Sequence, residues 1–444
     1  MASNWSRGVL GDIAEIVMGQ SPEGINCNEV GRGIPLLNGP TEFAYRYPLP
    51  KQYTTDPKKH AEIGDLLFCV RGSTTGRMNW ADQRYAIGRG IGAFRHKLGA
   101  EYQAFLRALI EYKLPALLSS ATGSTFPNVS RNQLLDLEVE IPSDEEALKI
   151  SNLIDTFDNK IYLNHQINQT LEQMSQALFK SWFVDFDPVI DNALETGNEI
   201  PDELQEHAQR RQAQIAKLDH QLLPDDISQL FPSEFELTEE LGWVPKGWEI
   251  GSFGDIASHI RMNVKPEEII DEHMYVGLEH IGRKQIFLSE SGYGSDVDSN
   301  KSSFQKGDML FGKLRPYFHK VCLAPEDGIC STDILVFRAK DKCFHSYMMF
   351  TAYDPVFVEF ANIRSTGTRM PRASAKDMLA YTIPKPKKEL FEAFELQIAP
   401  ILDRGENNAS MNKKLSEQRD ILLPKLISGE LNISNAEEAV GEIC

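Results

Sequence analysis

The feature that most constrains this chain is that it repeats itself at long range. Leu10–Ala14 reads LGDIA, and Phe253–Ala257 reads FGDIA 243 positions later. At the same offset Gly64–Phe68 (GDLLF) returns as Gly307–Phe311 (GDMLF), and Phe94-Arg95 returns as Phe337-Arg338. STFPNVSRNQL (Ser124–Leu134) and TRMPRASAKDM (Thr368–Met378) share a preceding Thr-Gly, a Pro, and a Ser three residues after that Pro, at offset 244. Leu153–Asp155 (LID) returns as Ile401–Asp403 (ILD) at offset 248. Matches in one order, with the offset drifting by five, describe a tandem duplication. Solenoid repeats run about 20–50 residues, so this period means two domains. A length of 444 residues also exceeds one ordinary core.

Both copies have the same layout. Each opens with a Trp and the Gly-Asp-Ile-Ala segment, read as a short strand or helix start. Strand-like runs follow (DLLFCV and GAFRH; DMLFGK and DILVFRA), then an amphipathic helix (YQAFLRALIEYKL; SYMMFTAYDPVFVEF). The Pro/Ser loop, a strand ending at Pro142 or Pro386, and a long helix close the unit. The expected fold is α+β: two tandem mixed α/β domains, each followed by a long helix, related by a pseudo-two-fold internal repeat. The boundaries read as domain 1 over 1–142, central helix 143–187, acidic connector 188–245, domain 2 over 246–386, and C-terminal helix and tail 387–444.

The long helices give the clearest local signal. Ser143 followed by Glu146 reads as a capping box. An apolar stripe then runs Ile150, Ile154, Phe157, Ile161, Asn164, Ile167, Leu171, Met174, Leu178, in steps of three and four. The second copy keeps that frame at offset 248: Ile398, Leu402, Gly405, Ala409, Asn412, Leu415, Arg419, Leu422, Leu426. Each helix spans roughly 37 residues, or about 55 Å, and Pro424 is expected to kink the second. The two seams should pair as an antiparallel coiled coil through Ile154, Phe157, Ile161, Leu171, Leu402, Leu415 and Leu422. Asn164 and Asn412 hold the same seam position, so they should meet and fix register as a buried polar residue can.

The net charge of −18 argues at first against a nucleic-acid partner, but its distribution reverses that. Residues 1–142 carry +1, 143–245 carry −15, 246–384 carry −1 and 385–444 carry −3. The acid lies between two near-neutral blocks that are free to hold local basic faces. No apolar run reaches the roughly 18 residues of a membrane span, and the N-terminus shows no signal-peptide core, so a cytoplasmic location is expected. Six scattered cysteines form no CxxC pair, which points to free thiols rather than zinc.

Catalytic signatures are missing. GSTTGR (Gly72–Arg77) is one residue short of a phosphate loop and ends in Arg. No GxGxxG, HExxH, Gly-x-Ser-x-Gly or Asn-Pro-Pro-aromatic stretch occurs, so no catalytic, cofactor or metal residue is assigned. The remaining polar residues suit DNA. In the first copy these are Arg71, Ser73, Thr74, Arg77, Arg84 and Arg89, then Ser124, Thr125, Asn128 and Arg131 in the Pro/Ser loop. In the second they are Lys313, Arg315, Tyr317 and Lys320, then Arg364, Thr368, Arg369 and Arg372. Arginine reads guanine bidentately, and Ser, Thr and Asn reach phosphates or base edges. Any one of these residues could be solvated surface. Basic groups at matched positions with differing identity suit two similar readers of two different sequences. ALFKSWFVDFDPV (Ala177–Val189) is too aromatic for an exposed helix end; it reads as core or as a docking surface, with Phe179, Trp182, Phe183 and Leu426 the docking candidates.

Taken in order, LGDIAEI, GDLLF, STFPNVS, LFKSWFVDFDPV, VPKGWEIGSFGDIA and LLPKLISGEL resemble the specificity (S) subunits of type I restriction-modification systems across nearly the whole chain. The resemblance implies two target recognition domains spaced along double-stranded DNA by the paired helices. It implies one half of a bipartite, asymmetric target per domain, more than one duplex turn apart. It implies partners: two methyltransferase (modification) subunits that use S-adenosylmethionine on adenine, and restriction subunits whose ATP- and Mg-dependent activity translocates and cleaves DNA. The chain itself would be non-catalytic and bind no cofactor. The acidic stretch from about Asp191 to Trp243 departs from the family pattern, and its charge places it away from the duplex. A pure protein scaffold and a single-chain DNA-modifying enzyme are the alternatives; the paired basic stretches speak against the first and the missing motifs against the second.

Overall fold

A computed structural model describes residues 5–119, 127–215, 223–367, 369–431 and 433. The chain divides into two compact units: Met1–Tyr162 with Lys414–Cys444, and Leu163–Lys413. The long helices, Asp144–Phe183 and Lys388–Ile427, are 40 residues each, and each unit holds one part of both.

In the first unit a four-stranded sheet has the order Ala14–Met18, Ile91–His96, Leu66–Cys69, Met78–Trp80. The second unit repeats it as Ala257–Ile260, Ile334–Ala339, Met309–Gly312, Val321–Leu323. Even the register repeats: Phe94 faces Ile16 and Phe337 faces His259, each pair shifted by 243. Each unit adds a five-stranded sheet containing one parallel pair, Ile34–Leu37 with Tyr85–Ile87 and Met274–Val276 with Gly328–Cys330. The LGDIA and FGDIA segments form one helical turn followed by a strand; Asp12 accepts the Val9 N–H and Asp255 the Ser252 N–H, both at 2.8 Å. SYMMFTAYDPVFVEF becomes two helices, His345–Tyr353 and Pro355–Ile363, because Asp354-Pro355 interrupts the run and Asp354 caps the second through the Val356 N–H.

The central helix begins as its sequence requires, with the Glu146 N–H donating to Ser143 Oγ at 3.3 Å. The Glu146 carboxylate accepts from Trp5 Nε1 at 3.1 Å, which ties the opening Trp to the helix start. The helices run antiparallel. Within the second unit Asn164 Nδ2 donates to Asn412 Oδ1 and Asn408 Nδ2 donates to Asn168 Oδ1, both at 2.9 Å. Within the first unit Arg419 meets Asp158 at 2.9 Å. Ile154, Phe157 and Ile161 join Leu415 and Leu422 in the first core, and Leu402 and Leu171 lie in the second.

The connector belongs to the second unit. Its helices Asp187–Thr196 and Asp202–Ile215 enclose Ile190, Ala193, Ile200 and Ala208. Arg211 clamps Asp191 at 2.8 and 2.6 Å, and His207 meets Asp187 at 2.7 Å. Residues 216–222 of the connector lie outside the described residues. Among the described residues no helix is long and apolar enough to cross a membrane.

Candidate nucleic-acid interface

The duplicated GD and FR motifs are one device used twice. Arg95 clamps Asp65 with two bonds of 2.8 Å, and Arg338 clamps Asp308 at 2.7 and 2.8 Å. The carboxylates, each 1% exposed, also accept the N–H of Glu62 and of Gln305. A buried carboxylate needs such pairing, so these two arginines belong to the framework.

Beside that framework, three chain segments meet in each unit through the same backbone bonds. In the first, the Val129 N–H donates to Val70 O at 2.9 Å, Gly72 N–H to Pro127 O at 3.1 Å, and Val70 N–H to Gly90 O at 2.9 Å. In the second, the Ala373 N–H donates to Lys313 O at 2.9 Å, Arg315 N–H to Pro371 O at 2.7 Å, and Lys313 N–H to Asp333 O at 3.0 Å. The repeated Ser of the Pro/Ser loop caps the short helix that follows: Ser130 accepts from the Gln133 N–H and Ser374 from the Asp377 N–H. Gly72 has φ +96° and its counterpart Arg315 has φ +53°, so a left-handed turn is kept while the side chain changes. For a non-glycine residue this costs about 1–2 kcal/mol, and such strain concentrates at functional positions.

On this platform the first unit exposes Arg71, Ser73, Thr74, Arg89 and Asn128, with Arg71 bridged to Asn128 through the backbone. Among the described residues no ion pair or side-chain hydrogen bond engages the Arg71 or Arg89 guanidinium. The Arg89 N–H donates to Ser21 Oγ at 3.3 Å, which joins a further loop to the edge. Arg131 is exposed, with Nε against Ile16 O at 3.4 Å. Arg77 is exposed, and its guanidinium donates to Phe43 O at 2.8 Å and Pro40 O at 3.3 Å, stapling that loop. Arg84 is paired with Glu62 at 3.1 Å. Ser124 and Thr125 lie outside the described residues.

In the second unit Asp333 Oδ1 lies 3.2 Å from Arg372 Nε and 3.9 Å from Lys313 Nζ. Arg315 lies against the Phe318 ring at 5.9 Å, with a buried Nε that has no partner among the described residues. Tyr317 is half exposed and packs edge-on against Phe318 at 4.8 Å. Arg364 covers the Phe360 ring at 4.6 Å, Arg369 is exposed, and Thr368 lies outside the described residues. The Lys320 ammonium donates to Leu278 O, and burial, with Arg283 adding to it, lowers its pKa. The sequence reading missed His259, Arg261 and Asp333. Arg261 Nε donates to His259 Nδ1 at 3.1 Å, burial, then Arg261 and Lys313, lower the pKa of His259, and Asp333 lies 3.9 Å from Lys313. The repeat offset was the signal available, since Asp333 maps onto Gly90, next to Arg89.

Residues 2–173 match the family model described as type I restriction modification DNA specificity domain. The specificity subunit of the type I restriction enzyme HindI from Haemophilus influenzae is 26% identical over 84% of this chain and 88% of its own length. That of EcoDI from Escherichia coli is 25% identical over 74% of this chain and 70% of its own. The solved S subunit of the type I restriction-modification system of M. genitalium has a TM-score of 0.56 at 13% identity, over 96% of each chain, which supports the fold. Over most of its length the chain is thus similar to type I restriction-modification specificity subunits, and residues 2–173 match their DNA specificity domain.

The aromatic stretch of the central helix is core. Phe179, Trp182 and Phe183 are 6%, 1% and 3% exposed among Tyr347, Phe391 and Phe394, and Leu426 is 2% exposed in the other unit. Side chains so enclosed offer no docking face, which corrects that reading; each aromatic instead buries on the order of 150–250 Å². A cavity of about 430 Å³ in the first unit is lined by Arg46, Arg107, Arg419, Asp158 and Tyr162, but its arginines are already matched by Asp158, Glu111, Asn159 and Asp420. Among the described residues no cluster of His, Cys, Asp or Glu could hold a metal ion.

Proposed function

We propose that this chain reads a bipartite, asymmetric double-stranded DNA target, one recognition region per half-site, and docks two methyltransferase subunits together with restriction subunits. One observation carries the reading. Both units hold three segments together with the same backbone bonds but present different side chains there: Val70, Arg71, Gly72, Gly90 and Asn128 in one, Lys313, Leu314, Arg315, Asp333 and Arg372 in the other. A shared frame with unlike donors suits two half-sites of unlike sequence. In this reading the chain contributes no catalysis and no cofactor site. S-adenosylmethionine, ATP and Mg are used by the partners, for adenine-N6 methylation and for translocation with site-specific cleavage.

The test is to co-express the chain with its methyltransferase subunits in a host free of adenine methylation and to sequence the methylated positions. A single two-part motif that vanishes without this chain is the expected result. Methylation independent of the chain, or a complex that binds random and motif duplexes equally in a shift assay, overturns the proposal.

A further inference from the structure

The second unit carries a side-chain arrangement that the first lacks, and it points to a particular base. Arg372 is held on both sides by backbone pairing: it exchanges N–H···O bonds of 2.9 and 3.1 Å with Thr366 and forms an antiparallel bridge to Leu314. Its side chain is exposed, and Nε lies 3.2 Å from Asp333 Oδ1. Asp333 is itself fixed, because its carbonyl accepts the Lys313 N–H at 3.0 Å and its carboxylate draws Lys313 Nζ to 3.9 Å. The guanidinium is thus oriented from behind through Nε. Among the described residues no hydrogen bond or ion pair engages its two terminal nitrogens.

Two parallel donors on a pre-oriented guanidinium match two neighbouring acceptors. Among base edges in the major groove, guanine presents such a pair, O6 and N7. A phosphate also accepts two bonds from arginine, but a carboxylate at 3.2 Å lowers the net charge that a phosphate would meet and leaves the fork geometry intact. We infer that Arg372, positioned by Asp333, reads a guanine in the half-site of the second unit. The inference rests on the DNA-recognition reading above and adds the base and the residue that selects it. In the first unit the equivalent positions are Asn128 and Gly90, so the same contact cannot be made there.

Methylation sequencing of the intact complex carrying Arg372→Lys, Arg372→Ala or Asp333→Asn tests it. Lysine keeps the charge but not the fork. Wild type should show an invariant G·C pair in one half of the motif. Arg372→Lys and Arg372→Ala should relax that one position by about 10-fold or more. Asp333→Asn should relax the same position less, and the other half of the motif should stay sharp in all three, which also reports a folded subunit. Three results overturn the inference: no invariant G·C pair in either half, uniform loss of methylation across all positions as expected of a phosphate contact, or an unaltered motif in Arg372→Ala. A wild-type chain that directs no two-part motif would instead sink the reading beneath it.

Discussion

Glu172 illustrates what a single buried charge does in this molecule. It is 7% exposed, and its carboxylate accepts the N–H of Ile286 at 2.7 Å and of Phe287 at 3.4 Å. Burial outweighs those bonds and pushes its pKa up to about 7. An unfolded Glu titrates near 4.3, so between about pH 4.5 and 7 the folded state holds a proton that the unfolded state has released. Stability from this group is therefore complete at low pH and falls as pH rises through that window. Glu172→Gln should flatten the dependence and, at pH 8, stabilise the chain by about 1–3 kcal/mol relative to wild type. Denaturant titrations of both proteins from pH 5 to 8 check this; parallel curves would show that Glu172 stays charged. No pattern in the sequence marked Glu172, because a helix stripe is read from apolar residues. Asp65 and Arg95 were legible as repeated motifs, but not as partners of one another. Only the buried carboxylate beside the arginine shows where its charge is spent.

At the scale of the element, the stripe on the central helix is read correctly up to Asn164 and then departs from the structure. Periodicity places Ile167 and Met174 in the seam, but they are 38% and 54% exposed, while Asn168, Glu172 and Ser175 are buried. Past Asn164 the buried line takes two steps of four, to Asn168 and Glu172, where the periodicity steps three and then four, which keeps the helix nearer 3.6 residues per turn. Polar residues fill that stretch because they receive partners: Asn168 bonds Asn408 and donates to Gly405 O at 3.0 Å, and Glu172 holds the loop at 286–287. The second helix keeps its expected frame, and Gly405 in it has a steric reason. A Cβ there would lie 2.0 Å from the Phe287 ring. Alanine gains about 1 kcal/mol of helix propensity over glycine, whereas forcing an aromatic ring out of place costs about 1–3 kcal/mol, so the clash should win. Gly405→Ala is expected to destabilise the wild-type chain by up to about 2 kcal/mol, the difference of these two terms. In a Phe287→Ala background the same change should become neutral or stabilising. A double-mutant cycle by denaturant unfolding measures this, and an unchanged cost without Phe287 would show that the ring is not the obstacle.

For the whole molecule, duplication was legible because framework residues repeat, as Asp65 with Asp308 and Ser130 with Ser374 do. The positions facing outward repeat in place but not in kind, so the sequence marks where the proposed reading surface lies without naming what each copy would recognise. Charge then bounds how the molecule can hold DNA. The chain carries −18 overall, and many of the cations first assigned to DNA also have partners within the chain: Arg77 and Lys320 carbonyls, Arg84, Lys313 and Arg372 carboxylates. Arg71 and Arg89 in the first unit remain exposed and unpaired among the described residues. Each phosphate neutralised contributes about 0.9 to the slope of log affinity against log salt. If these two arginines meet phosphates, replacing both with Ala should lower that slope by about 1.8 and weaken motif and random duplexes alike. Anisotropy titrations of the complex with its methyltransferase subunits, over a range of salt concentrations, supply both readouts. An unaltered slope with one relaxed base position would assign Arg71 or Arg89 to base reading. The first unit would then select its half-site through a free arginine, where the second uses one held by a carboxylate.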